Sequence, residues 1–82
     1  MQDKTIKKEI KCAVLGYGPA FNMGKYHCQL IKETKGMRVV SICDLNPERT
    51  AVAKKDFPEV TTYNSAEETL KKTDIDLVTI VT

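Results

Sequence analysis

The chain has 82 residues, with 13 Lys and Arg against 11 Asp and Glu, for a formal net charge of +2. This length supports one domain at most and buries only about 60–65% of the unfolded surface, so stability is marginal and a two-domain enzyme with its own substrate pocket is excluded. At 41% hydrophobic and 29% charged residues, the composition fits a soluble globular chain, and the near-balanced charge gives no field for nucleic acid.

Residues 1–9 are polar and Lys-rich, without the apolar run of a secretory signal, and read as a tail. Cys12-Ala13-Val14-Leu15 is a short apolar run ending at a glycine, a buried strand. From Asn22 to about Lys35, Met23, His27, Leu30, Ile31 and Thr34 recur at helical spacing, and Gly36 marks the stop. Met37 to Cys43 is β-branched and apolar, a second strand. Asn46-Pro47-Glu48 starts a helix by capping, a preset φ and a favourable charge. Ala51, Val52 and Phe57 should face the core, and Pro58 ends that helix. Val60 to Tyr63 is a third, polar strand near the sheet edge. Ser65 and Glu68 form a capping box for a short helix to about Lys72, anchored by Ala66, Thr69 and Leu70. Ile75 to Val81 is nearly all apolar, as in a strand covered on both faces.

The order β-α-β-α-β-α-β predicts an α/β fold, a Rossmann-like parallel sheet with strand order 3-2-1-4. No run reaches the roughly 20 apolar residues of a membrane span. The chain stops at Thr82 on its most apolar strand, which would then be an exposed edge. The expectation is a partial dinucleotide-binding domain over residues 10–82, truncated after strand four, or a module that self-associates through that edge. Cys12, Cys28 and Cys43 are odd in number and lack Cys-x-x-Cys spacing, so they read as free thiols in a reducing cytoplasm rather than metal ligands or disulfides.

Gly16-Tyr17-Gly18 follows the first strand, and Gly24 lies near the start of the first helix. The spacing is Gly-x-Gly-x5-Gly, three residues longer than the usual fingerprint. One glycine makes the turn, one lets backbone approach a pyrophosphate, and one lets helix and strand pack closely. The helix N-terminus offers free N–H groups to phosphate. Asp44 ends the second strand, placed for a ribose diol and repulsive to a 2′-phosphate, so NAD is favoured over NADP. The alternative is that the glycines only turn the chain and Asp44 caps the next helix.

The segments KCAVLGYG, MGKYH, VVSICDLNPER, TYNSAEETL and DIDLVTIVT resemble the N-terminal NAD(P)-binding domain of the Gfo/Idh/MocA oxidoreductases, the family of glucose–fructose oxidoreductase and inositol dehydrogenase. The resemblance runs from about Ile10 to Thr82. Gly24-x-x-His27 matches the second half of the family's glycine motif, and the loop insertion departs from it. The resemblance implies hydride transfer between a nicotinamide and a sugar, polyol or related carbinol, in a cytoplasmic parent that is a homo-oligomer with a larger C-terminal domain. The family's Glu-Lys-Pro lysine and its second-domain His or Asp would lie beyond Thr82, so this chain should hold no catalytic residue and show no turnover.

The candidate cofactor residues are Gly16, Tyr17, Gly18, Phe21, Asn22, Met23 and Gly24 on the loop, Asp44, Leu45 and Arg49 after strand two, and Val81 and Thr82 at the end of strand four. Tyr17 could cover the cofactor or pack inward. Arg49 could stack on adenine or stay solvated. Phe21 and Met23 also suit the loop–helix junction. His27, the single histidine, lacks an evident partner acid. Thr79 should face the ligand crevice. Two other classes fit part of the pattern: an S-adenosylmethionine-dependent methyltransferase fragment, with a similar glycine loop and acid, and a non-enzymatic nucleotide-binding or dimerisation module.

Overall fold

The computed structural model describes residues 9–18, 22–72 and 74–81. Among the described residues seven elements alternate: β1 (Ile10–Leu15), α1 (Met23–Glu33), β2 (Met37–Cys43), α2 (Pro47–Asp56), β3 (Thr61–Tyr63), α3 (Ala66–Lys72) and β4 (Leu77–Ile80). The strands form one parallel sheet in the order β3-β2-β1-β4, as the alternation predicts. β1 and β2 therefore lie at the centre, and their carboxyl ends open beside the glycine loop.

The local signals act as their chemistry requires. The Asn46 side chain accepts the Glu48 N–H at 2.9 Å, with Pro47 at the first position of α2. Ser65 Oγ accepts the Glu68 N–H at 3.3 Å to open α3. Gly36, at φ +89°, turns the chain between α1 and β2. At the other end of the sheet, Asp76 holds β4 to β1. Its carboxylate accepts the Lys11 N–H at 3.0 Å, and its own N–H donates to the Lys11 carbonyl at 2.8 Å.

One irregularity shapes the core. The β1–β2 register passes from Cys12–Val39 to Ala13–Ser41, so β2 carries Val40 as an extra residue. The bulge places Val39 and Ile42 on the same sheet face as Cys12 and Val14. These four pack with Cys28 and Ile31 of α1, Ala53 of α2, and Tyr17, Phe57 and Val60. The three free thiols, Cys12, Cys28 and Cys43, are all buried as small apolar side chains. Burial pushes the Cys28 thiol up to about 12.

Several expected faces are corrected. α1 buries Gly24, Cys28 and Ile31, while Met23 and Leu30 are exposed and Thr34 is its exposed C-cap. The close approach of Gly24 to the Gly16 and Tyr17 backbone goes with this rotation. α2 buries Thr50 and Ala53 in line with Phe57, so Ala51 and Val52 turn to solvent. Phe57 decides the phase, because residues three or four apart share a helix face. In α3 Thr69 is fully buried, whereas Ala66 and Leu70 are exposed. β4 is shorter than the apolar run and is not covered on both faces: Ile80 is 68% exposed and Leu77 is also exposed. The reason is topological. β4 is the edge beside β1, and α3 packs on β2 and β3.

Candidate functional site

The three glycines occupy different physical situations. Gly16 has φ +111°, which L side chains rarely adopt, and a Cβ there would overlap the Val81 carbonyl. Its N–H donates to the Cys43 carbonyl at 2.7 Å, so the turn is bonded to the end of β2. Gly24 lies in the first turn of α1, on the face turned to the loop. A Cβ there would overlap the Gly16 carbonyl oxygen and come within 2.8 Å of Tyr17 Cα. The helix therefore rests directly on the loop backbone. Gly18 differs from both. It is exposed, has no positive φ, and a Cβ there would meet no described atom within 4 Å. Neither conformation nor packing within the described residues requires glycine at this position.

Asp44 ties this loop to the next turn. Its Oδ2 accepts the Tyr17 N–H at 2.8 Å, and its Oδ1 accepts the Asn46 N–H at 2.9 Å. A carboxylate offers about four lone-pair sites, so two remain for other donors. The backbone of Asp44 is held as well. Its N–H donates to the Tyr63 carbonyl at 3.1 Å, and its carbonyl accepts Asn64 Nδ2 at 2.8 Å. The same amide reaches Thr50 Oγ1 at 3.2 Å. Asn46, rather than Asp44, caps α2, so the carboxylate is not used up in capping.

Between the carboxyl ends of β1 and β2 lies an open cleft of about 370 Å³, lined by Leu15, Gly16, Cys43, Asp44, Leu45 and Ala66. This is where ligands enter open α/β sheets. Leu45 is 82% exposed at its mouth, and Arg49 is half-buried on the first turn of α2. Val81 follows β4 on the opposite side of β1, its N–H donating to the Leu15 carbonyl at 2.8 Å. Asn22 precedes α1 in the left-handed region (φ 50°), and its side chain makes no capping bond. The first turn of α1 carries no acidic residue. Its N–H groups thus keep their affinity for an anion. Met23 lies exposed beside Asn22, Lys25, Tyr26 and Gln29, on the outer side of α1. Phe21 and Thr82 lie outside the described residues, as do Pro19 and Ala20 of the inserted loop.

The Tyr17 ring does not cover the cleft. It is 4% exposed within the core, and its hydroxyl donates to Asp56 Oδ2 at 2.7 Å. Burial first, and this carboxylate second, hold the phenol protonated well above its ordinary range. Tyr17 meets the cleft only through its backbone N–H, donated to Asp44. Between the two roles left open by the sequence, the side chain takes packing. His27 stacks edge-on against Tyr26, with centroids 5.9 Å apart, and meets no acid in the cleft. Among the described residues, no group of three or more His, Cys, Asp or Glu side chains could hold a metal ion. Likewise, no helix among them is long and apolar enough to cross a membrane.

Sequence reasoning missed Asn64, Asp56 and Ala66. Asn64 carried no readable signal, since its partners are 14 and 20 residues away. Asp56 had one: a carboxylate at the C-terminal end of a helix opposes the macrodipole.

Comparison with known proteins agrees with this geometry. Residues 10–82 match the Gfo/Idh/MocA model, described as an oxidoreductase family with an NAD-binding Rossmann fold. A curated relative, glycosyl hydrolase family 109 protein 1 of Bacteroides fragilis, is 43% identical over 56 residues, covering 57% of this chain and 12% of the relative. Two solved structures share the fold. The myo-inositol dehydrogenase of Lactobacillus casei, in complex with NAD(H) and myo-inositol, gives a TM-score of 0.78 at 29% identity, covering 90% of this chain and 22% of that one. An oxidoreductase of Agrobacterium radiobacter, in complex with NAD+, L-tartaric acid and magnesium, gives 0.81 at 28% identity, covering 92% and 21%. The chain thus spans about a fifth or less of the length of these proteins. With the family model matched from Ile10 onward over a 3-2-1-4 sheet and its glycine loop, the chain belongs to the Gfo/Idh/MocA oxidoreductase family and forms part of its NAD-binding Rossmann fold.

Proposed function

We propose that the chain holds NAD(H), in preference to NADP(H), as the cofactor-binding part of a longer oxidoreductase. The carrying observation is Asp44, whose carboxylate stands at the cleft mouth with each oxygen accepting one backbone N–H and lone pairs to spare. A ribose diol could donate to those lone pairs, whereas a 2′-phosphate would meet like charge. Gly16, Gly18, Asn22, Met23 and Gly24 would present backbone to the pyrophosphate, with Gly18 leaving the room it needs. Leu45 and Arg49 would flank the adenine, and Val81 would approach the nicotinamide half. When bound, the nicotinamide takes up or gives back a hydride. This chain's own residues bind and orient it, and none is assigned to proton transfer.

The parent's substrate, in this reading, is a sugar, polyol or related carbinol. Its support is the myo-inositol in the complex of a relative with the same fold. Residues 10–82 then supply one part of the cofactor domain, and catalytic side chains come from elsewhere in the parent. A methyltransferase reading gains no support from the family match. The 43% identity to a protein named as a glycosyl hydrolase favours a second reading, in which the parent cleaves a glycosidic bond with a bound nicotinamide.

The test is titration of the full-length protein with NADH and NADPH, wild type against Asp44→Ala. NADH should bind more tightly than NADPH. Losing hydrogen bonds to a charged group should weaken NADH about tenfold and narrow the preference. Equal affinity for both cofactors in the wild type would remove the NAD preference. Unchanged NADH affinity in the variant would remove Asp44 from the site. Incubating the full-length protein with NAD and either inositols or aryl glycosides separates the two substrate readings: NADH accumulates in the first case, and free phenol in the second.

A further inference from the structure

A Gly-x-Gly turn is the least self-restrained kind of backbone, because each glycine leaves φ and ψ nearly free. Something outside the turn must hold it in one shape. The residue between the glycines is Tyr17, and it is bonded at both ends. Its N–H donates to Asp44 Oδ2 at 2.8 Å, and its hydroxyl donates to Asp56 Oδ2 at 2.7 Å. One buried side chain thus connects the carboxylate at the cleft mouth to the far end of α2.

Asp56 is unusual for its place. It is the last residue of α2, the negative end of the helix, where a carboxylate is unfavourable. The helix does not use it as a cap, since the Phe57 N–H closes the last turn on the Ala53 carbonyl. Its partners lie elsewhere: the Tyr17 hydroxyl, and Lys25 of α1, whose Nζ stands 3.9 Å from the same oxygen. The glycine loop, α1 and α2 all meet at this carboxylate. A hydroxyl donating to an ionised carboxylate is also among the stronger hydrogen bonds.

We propose that Tyr17, anchored by Asp56, is a positioning residue that holds the glycine loop and the Asp44 carboxylate in their ligand-binding geometry. Cofactor affinity then depends on a part-buried hydrogen bond away from the cleft that touches no ligand atom. This rests on the cofactor reading above. The ring belongs to the same core cluster as residues of β1, α1 and α2, and the hydroxyl–carboxylate bond fixes how deep it sits. That depth sets the height of the Tyr17 N–H, and the N–H sets where Asp44 points.

The experiment is NADH titration of the full-length protein as wild type, Tyr17→Phe, Asp56→Ala, Asp56→Asn and the Tyr17→Phe/Asp56→Ala double variant, each with a thermal melt. Tyr17→Phe keeps the ring and removes only the hydroxyl. It and Asp56→Ala should each weaken NADH about three- to tenfold, up to the size of one hydrogen bond. The double variant should bind no more weakly than either single one, because the same bond is lost in all three. Asp56→Asn keeps an acceptor oxygen and should restore most of the affinity. AMP affinity should fall with that of NADH and further than that of nicotinamide mononucleotide, because Asp44 faces the adenosine half whereas the glycine loop serves the phosphates of both. Variants that melt lower yet bind NADH and AMP as the wild type does would make Tyr17 only a core residue and overturn the inference. A wild type that binds no NADH would instead overturn the cofactor reading, and this inference with it.

Discussion

Replacing Gly24 with alanine tests how the glycine loop is built. In a helix interior Ala is preferred to Gly by about 1 kcal/mol, so on propensity alone Gly24→Ala, in the first turn of α1, should stabilise the chain by at most that much. The structure predicts the reverse. The new Cβ would overlap the Gly16 carbonyl oxygen and sit 2.8 Å from Tyr17 Cα and 3.2 Å from Gly16 C, where ordinary contact begins at 3.4 Å. All three atoms are backbone, so no side chain can swing aside and α1 must back away from the sheet. Overpacking of this kind costs about 1–3 kcal/mol, and immovable neighbours put it at the upper end. After the propensity gain, the net loss is about 1–2 kcal/mol. For a domain of this size each kcal/mol moves the melting temperature by roughly 4–8 °C. The expected drop is therefore on the order of 5–15 °C, read by far-UV circular dichroism. The retreat of α1 should also expose Cys28, which is fully buried in the wild type, and so raise its rate of reaction with a thiol reagent. A melting temperature equal to or above that of the wild type would refute the close helix–loop contact.

Gly18→Ala should behave in the opposite way. Its Cβ meets no described atom, so stability should stay within about 0.5 kcal/mol, while NADH affinity in the full-length protein should fall about tenfold; retained affinity would show that Gly18 is not where the ligand approaches. Ser41 is fully buried, and its hydroxyl has no hydrogen-bond partner among the described residues. Ser41→Ala should therefore stabilise the chain by about 1 kcal/mol in urea unfolding, and a destabilised variant would reveal a partner for that hydroxyl. Burial raises the Cys28 thiol from 9.0 to about 12, so above pH 9 the native state holds its proton more tightly than the unfolded state does. Its contribution is whole below pH 9 and is lost as pH rises toward 12. Melting temperature should fall across that interval, and Cys28→Ala should flatten the fall; an unchanged slope would exclude Cys28 as its source.

Much of this protein was legible because its signals are short-range. Asn46-Pro47-Glu48 caps its helix through bonds reaching only two residues along the chain, and Ser65 acts over three. The alternation of strands and helices implied a parallel sheet, since parallel neighbours need a crossover, and right-handed crossovers leave few strand orders. The glycine spacing and Asp44 placed the candidate cleft for the same reason: both stand at the ends of adjacent central strands.

What the sequence by itself determined was therefore the kind of element at each position, the strand order and the end of the sheet that carries the cleft. Tertiary structure alone decided which way the side chains point. Met23 and Leu30 fit a helical stripe as well as Gly24, Cys28 and Ile31 do, and only contact of Gly24 with the loop backbone chose between them. The bulge at Val40, the inward turn of Tyr17 onto Asp56 and the bond from Tyr17 to Asp44 join residues far apart in the chain. The physical reason is range. Caps and turns are set by neighbours in sequence, whereas the rotation of a helix and the aim of a carboxylate are set by whatever the fold brings against them.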